Sequence, residues 1–107
     1  MVGTLRDRVQ LQRREASEDG AGGTLHLFVT VTALWARVSA LSARQAAFGD
    51  GRGALASHSV VVRHRTDVRP GDRFVYRGRR LDVLAAEDLD GRRTWLACQC
   101  SEREFVG

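Results

Sequence analysis

Lysine is absent from this sequence, and all seventeen basic residues are arginines, against thirteen acidic residues. The net charge is therefore +4 and the pI is near 10.4. Such a balance permits contact with nucleic acid or with an acidic protein surface, but the arginines are scattered along the chain rather than clustered on one basic segment. Composition alone therefore does not establish nucleic-acid recognition.

Cysteine is also scarce, since the chain has only Cys98 and Cys100. These two residues are two positions apart on a predicted strand, so both side chains point to the same face at a separation that is awkward for a disulfide. The pattern favours two buried thiols over a redox or metal site.

Long apolar segments are missing as well. No run of eighteen apolar residues exists, and the N-terminus lacks the basic, apolar and small-residue succession of a signal peptide. We therefore expect no membrane association and synthesis in the bacterial cytoplasm. The 107 residues are predicted to form a single domain, 1–107, which can bury about two-thirds of its unfolded surface without disulfides or metals.

Alternating apolar and polar residues predict a meander of four short strands between His58 and Cys100. The predicted strands centre on Val60 to Val62, Phe74 to Tyr76, Leu81 to Val83 and Trp95 to Gln99, with hairpin-like turns between them. Because an open meander leaves unpaired edges, a small barrel or sandwich is the expected completion. The large aromatic residues are assigned to its core, namely Trp35, Phe74, Tyr76 and Trp95.

The N-terminal part predicts a long hairpin. Leu5 to Leu11 alternate as a first strand, and Glu15 to Gly23 have the composition of a mobile turn at the tip. The returning run from Thr24 to Val38 is rich in β-branched and aromatic residues, which favour strand structure. It is too long for one flat strand, so we predict a bend or bulge within Thr30 to Ala33.

A helix of about two turns is predicted over Leu41 to Phe48, because Ser42 and Gln45 have the spacing of a capping box. The stretch from Gly49 to Ser57 follows as a glycine-rich loop. Helix and loop together form a flexible excursion at about residues 42–58, between the second and third strands. A loop of this length on so small a domain often becomes ordered only against a partner.

Catalytic, cofactor-binding and metal-binding sites are not predicted. The three histidines are scattered and have no metal-ligand spacing, and no nucleophile has a candidate base. Gly49 to Gly53 follow a predicted helix rather than a strand, which is the wrong context for a phosphate-binding loop. Asp88, Asp90 and Gly91 are explained better by a hairpin turn than by a calcium loop. We therefore expect that the protein is not an enzyme and uses no cofactor.

The order of these segments carries a family resemblance. The opening stretch from Gly3 to Arg13 resembles that of the phage head-tail joining proteins, also called head completion or stopper proteins. Later landmarks look like the same family's signature in the same order, namely Ala33 to Val38, Leu41-Ser42, Val60 to Arg65, Val68 to Arg73, Tyr76 to Leu81 and Cys100 to Glu102. The resemblance covers nearly the whole chain, and the family occurs in long-tailed phages, prophages and gene transfer agents.

This resemblance implies a mainly β protein, a small antiparallel β-barrel with one short helix and a long loop between the second and third strands. It implies a structural component of the neck of a virion or phage-like particle, assembled as a six- or twelve-fold ring. The implied neighbours are the portal or adaptor proteins on the head side, the tail terminator on the tail side, and packaged double-stranded DNA in the channel. The alternative is a monomeric nucleic-acid-binding barrel of the OB or SH3-like kind, which requires aromatic residues exposed beside arginines.

Two groups of residues are candidate contacts within such a ring. Phe48 and Leu55 are the sizeable apolar residues of the excursion, and we expect them to anchor it against an adjacent subunit or the adaptor while Arg52 faces the DNA. Arg77, Arg79 and Arg80 flank the turn at Gly78, where they either contact DNA or an acidic neighbour, or only solubilise the turn.

Overall fold

The alternation of apolar residues produces a sheet that closes on itself. The computed structural model describes residues 5–18, 20–41 and 56–103. They form six strands: β1 (Asp7–Glu18), β2 (Thr24–Ala40), β3 (His58–Arg63), β4 (Arg73–Tyr76), β5 (Arg79–Asp88) and β6 (Trp95–Arg103). These follow the order β1-β2-β3-β6-β5-β4 around a closed, fully antiparallel barrel. The prediction of a mainly β fold built on a small antiparallel barrel is therefore confirmed.

Closure depends on β1, which pairs with a strand on each side. Leu11 lies opposite Thr32 of β2 and opposite Phe74 of β4. A closed barrel leaves no free sheet edge along the paired region, so the fold does not need a partner chain to complete its backbone hydrogen bonds.

The predicted meander is wrong in one connection, because β3 and β4 are not a hairpin. β3 lies between β2 and β6, whereas β4 lies between β1 and β5, so the segment between them crosses one end of the barrel. Alternation tells which residues face inward but does not tell which strands are neighbours. The crossing ends in a turn where Asp72 Oδ2 accepts a hydrogen bond from the Arg69 amide at 3.0 Å. The Gly71 amide then donates to the Val83 carbonyl of β5 at 3.0 Å.

The core consists of the inward residues of the strands, joined by Val68 from the crossing segment. Its buried members are Val9, Leu11, Ala36, Val60, Val62, Val68, Phe74, Leu81, Val83, Leu96, Cys98 and Cys100. Both cysteines are free and buried, which confirms the prediction made for them. Burial raises the pKa of the Cys98 thiol to about 12 and also raises the pKa of Cys100.

The aromatic assignment is correct for Phe74, which is fully buried, and wrong for Trp35, which is 56% exposed. Tyr76 is partly buried against the core, and Trp95 is half-buried. Leu34 and Val38 pack against the core and Ala36 is within it, so Trp35 alternates to the outside of the barrel. Periodicity could not decide this orientation because apolar residues occupy both faces of β2.

The N-terminal hairpin is longer than predicted. Pairing continues to Glu18 opposite Thr24, so Glu15 to Glu18 belong to a strand and not to a turn. The register shifts between Leu11, which faces Thr32, and Gln12, which faces Thr30, leaving Val31 as an extra residue. This shift is a β-bulge, and it confirms the irregularity predicted within Thr30 to Ala33.

The excursion begins and ends at adjacent points of the sheet. Ala40 pairs with His58, and the Leu41 amide donates to the Ser57 carbonyl at 2.9 Å. Ser57 is also tied to β6, since its amide donates to the Cys100 carbonyl at 2.8 Å. Most of the predicted helix, Leu41 to Phe48, and of the glycine-rich loop, Gly49 to Ser57, lies outside the described residues, because residues 42–55 are not described. A membrane-crossing helix, which needs length and apolar side chains together, is absent from the described part of the chain.

Candidate functional site

The hairpin of β1 and β2 extends beyond the barrel. Pairing of β1 with β4 ends at Gln12, and pairing of β2 with β3 covers only Ala36 to Ala40. Arg13–Glu18 and 24–29 therefore pair only with each other within the described residues. We call these two segments, with the bulge residue Val31, the arm. Its six residue pairs correspond to a length of about 20 Å at roughly 3.3 Å per residue.

One face of the arm carries an exposed apolar row, which we call the arm stripe: Leu25, Leu27 and Val29. Their exposed fractions are 49%, 53% and 44%. They alternate along β2, so they share one face, and they lie opposite Ser17, Glu15 and Arg13 of β1. This face is the continuation of the barrel interior, because Arg13 and Glu15 follow Leu11 at intervals of two residues. Beyond the barrel rim, the described part of the chain provides no opposing strand that covers it.

The opposite face of the arm is held against the barrel. Phe28 lies on this face, and the Arg73 guanidinium lies 3.6 Å from the centroid of its ring. Arg73 is only 9% exposed, and its Nε donates a hydrogen bond to Asp82 Oδ1 of β5 at 3.1 Å. A charge-assisted hydrogen bond fixes the guanidinium, and the ring of Phe28 packs on it. The root of the arm, which is the end nearest the barrel, is therefore attached to the barrel. The arm stripe on the other face stays exposed.

A second contact supports the same root. Arg65, on the segment that crosses the barrel end, donates two hydrogen bonds to Asp67, each of 2.8 Å. Arg13 of the arm lies 3.7 Å from the same carboxylate. The hydrogen bonds from Arg65 hold the pKa of Asp67 below its usual value, and the charge of Arg13 adds to this effect. The carboxylate therefore stays charged and bridges the arm to the crossing segment.

Four residues on the outside of the barrel form a row across four strands, which we call the Arg-Trp ladder: Arg8, Trp35, Arg63 and Trp95. Arg8 pairs with Trp35, and Arg63 pairs with Trp95. The guanidinium carbons lie 4.9 and 5.4 Å from the respective ring centroids. These are cation–π distances, so each indole has a guanidinium over its face.

A groove of about 340 Å³ lies beside this ladder, and we call it the ladder groove. Its lining combines apolar and basic side chains, namely Leu5, Arg8, Ala33, Leu34, Trp35, Arg63 and Arg65. Arg65 is already paired with Asp67. Arg8 and Arg63 have no carboxylate within ion-pair distance among the described residues. The groove therefore presents an apolar floor with two guanidinium groups that are held in place by indole rings.

The predicted arginines of the β4–β5 turn are close together in the structure. Tyr76 pairs with Arg79, and the two residues between them, Arg77 and Gly78, have φ angles of +51° and +78°. Positive φ at both central positions is typical of a type I′ turn. Arg77 lies over the Tyr76 ring at 5.3 Å, and Arg79 Nε lies 3.6 Å from Glu102 Oε2. All three arginines of the group, Arg80 included, are exposed. Their contact with DNA or a neighbour stays a prediction.

The three candidate residues of the excursion, Phe48, Arg52 and Leu55, lie outside the described residues. The structure describes the two ends of the excursion, at Leu41 and Ser57. Leu41 and Ser57 are joined by a backbone hydrogen bond, so both ends of the excursion are fixed at the end of the β2–β3 ladder.

The acidic residues near the β5–β6 turn support backbone geometry. Asp88 Oδ2 accepts a hydrogen bond from the Arg93 amide at 2.9 Å, and Asp90 Oδ1 accepts one from the Arg92 amide at 3.1 Å. The interpretation of this stretch as a hairpin turn is therefore confirmed. No group of three or more histidine, cysteine, aspartate or glutamate residues suited to a metal ion occurs within residues 5–18, 20–41 and 56–103.

Comparison with known proteins agrees with the closed barrel and its order of segments. The model of the phage head completion protein family matches residues 1–103. The chain belongs to the phage head completion protein family. The resemblance drawn from its sequence is thereby confirmed, and the family is one of phage structural proteins.

Two solved structures resemble this head completion protein over nearly their whole length. Protein SF1141 from Shigella flexneri 2a, determined in solution, has a TM-score of 0.76 and 27% identity over 94% of this chain and 95% of its own. A chain of the virion of a native gene transfer agent particle has a TM-score of 0.70 and 24% identity, over 95% of this chain and 98% of its own. The likeness to the chain of the gene transfer agent particle is a likeness of fold alone. No curated protein matches the sequence.

Sequence reasoning about this head completion protein missed the arm stripe and the Arg-Trp ladder. A usable signal was present for each of them. β2 has 17 residues, far more than any strand that could pair with it inside a small barrel, so part of it had to extend beyond the barrel. Leu34 and Trp35 are adjacent, and adjacent residues of a strand point to opposite sides, so one of them had to face outward.

Proposed function

We propose that this protein is a structural component of the neck of a phage-like particle. In this proposal, copies of the chain form a six- or twelve-fold ring between the portal or adaptor of the DNA-filled head and the tail. The ring retains packaged double-stranded DNA and provides the surface to which the tail terminator docks. The role is structural and not catalytic. Membership of the head completion family supports the general assignment.

The observation that carries the proposal is the arm with its open apolar face. The barrel closes its own hydrogen-bonding edges and buries its own core, so it does not need the arm for either purpose. An aligned row of exposed apolar side chains marks an interaction surface more often than scattered single residues do. A closed barrel that carries such a surface fits a subunit whose function is to contact neighbours.

The basic side chains fit the proposed DNA channel. A ring around packaged DNA needs contacts with phosphates and no reading of base sequence, and arginine provides such contacts. Arg77, Arg79 and Arg80 lie at an exposed turn, where they can face a channel or an acidic neighbour. Arg52 and the apolar residues Phe48 and Leu55 stay the proposed contacts of the excursion.

The alternative function, a monomeric nucleic-acid-binding barrel, is favoured by one observation. Trp35 is 56% exposed and lies beside Arg8, which is the combination that this function requires. However, the Arg8 guanidinium lies 4.9 Å from the centre of the indole and covers one of its faces. Arg8 leaves at most one indole face on which a base could stack, and the chain belongs to a family of phage structural proteins, so we prefer the structural role.

A particle assay tests the proposed function. In a strain that produces particles, the gene is deleted and complemented with a tagged copy, and particles are separated on a density gradient. We expect the tagged protein to co-migrate with DNA-filled heads, and we expect the deletion strain to yield heads that lose DNA and lack tails. If the protein stays outside the particle fractions and the particles are unchanged, the proposed function is wrong. Salt-dependent binding of single-stranded DNA by the purified protein would then support the alternative.

A further inference from the structure

The arm stripe and the ladder groove have complementary chemistry. The stripe is a row of leucine and valine side chains with Glu15 beside Leu27 on the same face. The groove has an apolar floor that includes Ala33 and Leu34, and it presents the guanidinium groups of Arg8 and Arg63. An apolar ridge with a carboxylate therefore matches an apolar groove with basic residues.

One copy of the chain cannot bring these two surfaces together by itself. Arg8 and Glu15 are seven positions apart on the continuous strand β1, a distance of about 23 Å at roughly 3.3 Å per residue. They also alternate to opposite faces of the sheet, because Arg8 faces outward and Glu15 continues the interior face. The contact between Phe28 and Arg73 further fixes the root of the arm to the barrel. The stripe can therefore fill a ladder groove only on another molecule.

We propose that the arm stripe of one copy docks in the ladder groove of the next copy. The two surfaces are different, so this contact is heterologous, and a heterologous contact produces a ring when the rotation between neighbouring copies closes. The inference rests on the ring of the proposed function and names the contact between its subunits. Trp35 and the two guanidinium groups are the residue types that dominate binding energy at the centres of protein interfaces.

Cysteine cross-linking tests this contact directly. A Leu27→Cys chain and an Ala33→Cys chain, distinguished by size tags, are mixed at high concentration and oxidised gently. The native thiols interfere little, since Cys98 and Cys100 are buried. We expect the mixed disulfide to form about tenfold more than the product of Leu27→Cys with Glu87→Cys, because docking raises the effective concentration of the paired thiols. Glu87 is the matched control, an exposed residue on β5 outside both surfaces.

Charge reversal provides a second and independent measurement. Glu15→Arg should lower the yield of the mixed disulfide, and the combination with Arg63→Glu in the groove-bearing chain should restore it. Glu18→Arg is the control, because it makes the same charge change on the same strand but on the opposite face of the arm. Equal melting temperatures of the variants would show that folding is unchanged.

Several results would overturn the proposal. The yield of Leu27→Cys with Ala33→Cys could equal that of Leu27→Cys with the Glu87→Cys control. Leu27→Cys could link preferentially to another Leu27→Cys, which would indicate two arms packed face to face. Ala33→Cys in the diluted, monomeric protein could resist maleimide labelling, which would indicate that another segment of the same chain fills the groove.

The particle assay separates this inference from the proposed function. If the mixed disulfide forms in solution but the protein is absent from particles, the neck function fails while the contact between copies stands. If the protein is present in particles and the mixed disulfide does not form, the function stands and the docking of the arm is wrong.

Discussion

The strands β1 and β2 run through both the barrel and the arm, yet their apolar residues have opposite environments in these two regions. On β1 and β2 within the barrel, Val9, Leu11 and Ala36 are buried. On the arm, Leu25 and Leu27 are about half exposed, although they continue the same face of the sheet. The sequence of each part is strand-forming, so secondary structure does not distinguish them. The difference is whether another strand covers the face within the described residues. The covered part therefore contributes to folding, and the exposed part is the surface that we propose for association.

The largest expected effect comes from a matched pair of leucine substitutions. Leu11→Ala should lower the free energy of unfolding of the isolated protein by about 2 to 5 kcal/mol, because it leaves a cavity in a closed core. Leu27→Ala should change it by no more than about 0.5 kcal/mol, because its side chain already faces solvent. Chemical denaturation measures both values. Equal costs for the two substitutions would mean that the arm is part of the folding core.

A smaller effect is expected at the junction of the two parts. Arg73→Leu removes the charge-assisted hydrogen bond to Asp82 and the guanidinium that packs on Phe28. We expect a loss of about 1 to 3 kcal/mol. Amide hydrogen exchange should also become faster along the arm than along β5 and β6. Arg14→Leu is the control, since Arg14 is an exposed arginine on the arm opposite Phe28. Uniform loss of protection over the whole barrel would argue against a specific role in holding the arm.

The arginines of the β4–β5 turn are expected to affect particles more than folding. Replacement of Arg77, Arg79 and Arg80 by serine removes exposed charges and the ion pair of Arg79 with Glu102, and such exposed pairs contribute roughly 1 kcal/mol or less. The melting temperature should therefore change little, while the yield of filled particles with tails should fall. Particle yield equal to that of the wild type would leave these residues as a solubilising turn.

The smallest effect on stability is expected from the excursion. Its ends are joined by the hydrogen bond between Leu41 and Ser57. Deletion of Gly49 to Gly53 should change the free energy of unfolding by less than about 0.6 kcal/mol, because closure entropy depends weakly on loop length. The same deletion should cause leakage of DNA from packaged heads or prevent attachment of tails. Unfolding of the truncated protein, or particles identical to wild type, would contradict this role.

The barrel was easier to predict from the sequence than the arm. The inward residues of the barrel strands were predictable because their alternation is enforced by burial, as for Val60, Val62 and Phe74. The bulge at Val31 was also predictable, since the strand was too long to stay flat. The placement of β3 beside β6 could not be predicted, because the pairing of distant strands depends on closure of the whole sheet and leaves no local pattern.

The candidate surfaces were harder to predict than the fold. Leu25, Leu27 and Val29 have the residue types of a buried strand, and we propose them as an interaction surface because no strand among the described residues covers them. Trp35 was assigned to the core because it too has a residue type that is common on buried strands. Arg77, Arg79 and Arg80 were predicted as candidate contacts because a glycine turn and adjacent charges are local features of the sequence. An exposed apolar row on a strand therefore looks like core in a single sequence.

The central claim is that the barrel folds by itself and the arm stripe serves a partner, and Leu27→Arg tests it most directly. The purified variant and the wild type are compared by thermal melting, and each is then supplied to a deletion strain and measured in the particle fraction. We predict an unchanged melting temperature together with loss of the variant from the particles, because a guanidinium in the docked stripe would be desolvated beside the basic groove. A variant that unfolds, or one that enters particles at the wild-type level, would contradict the account.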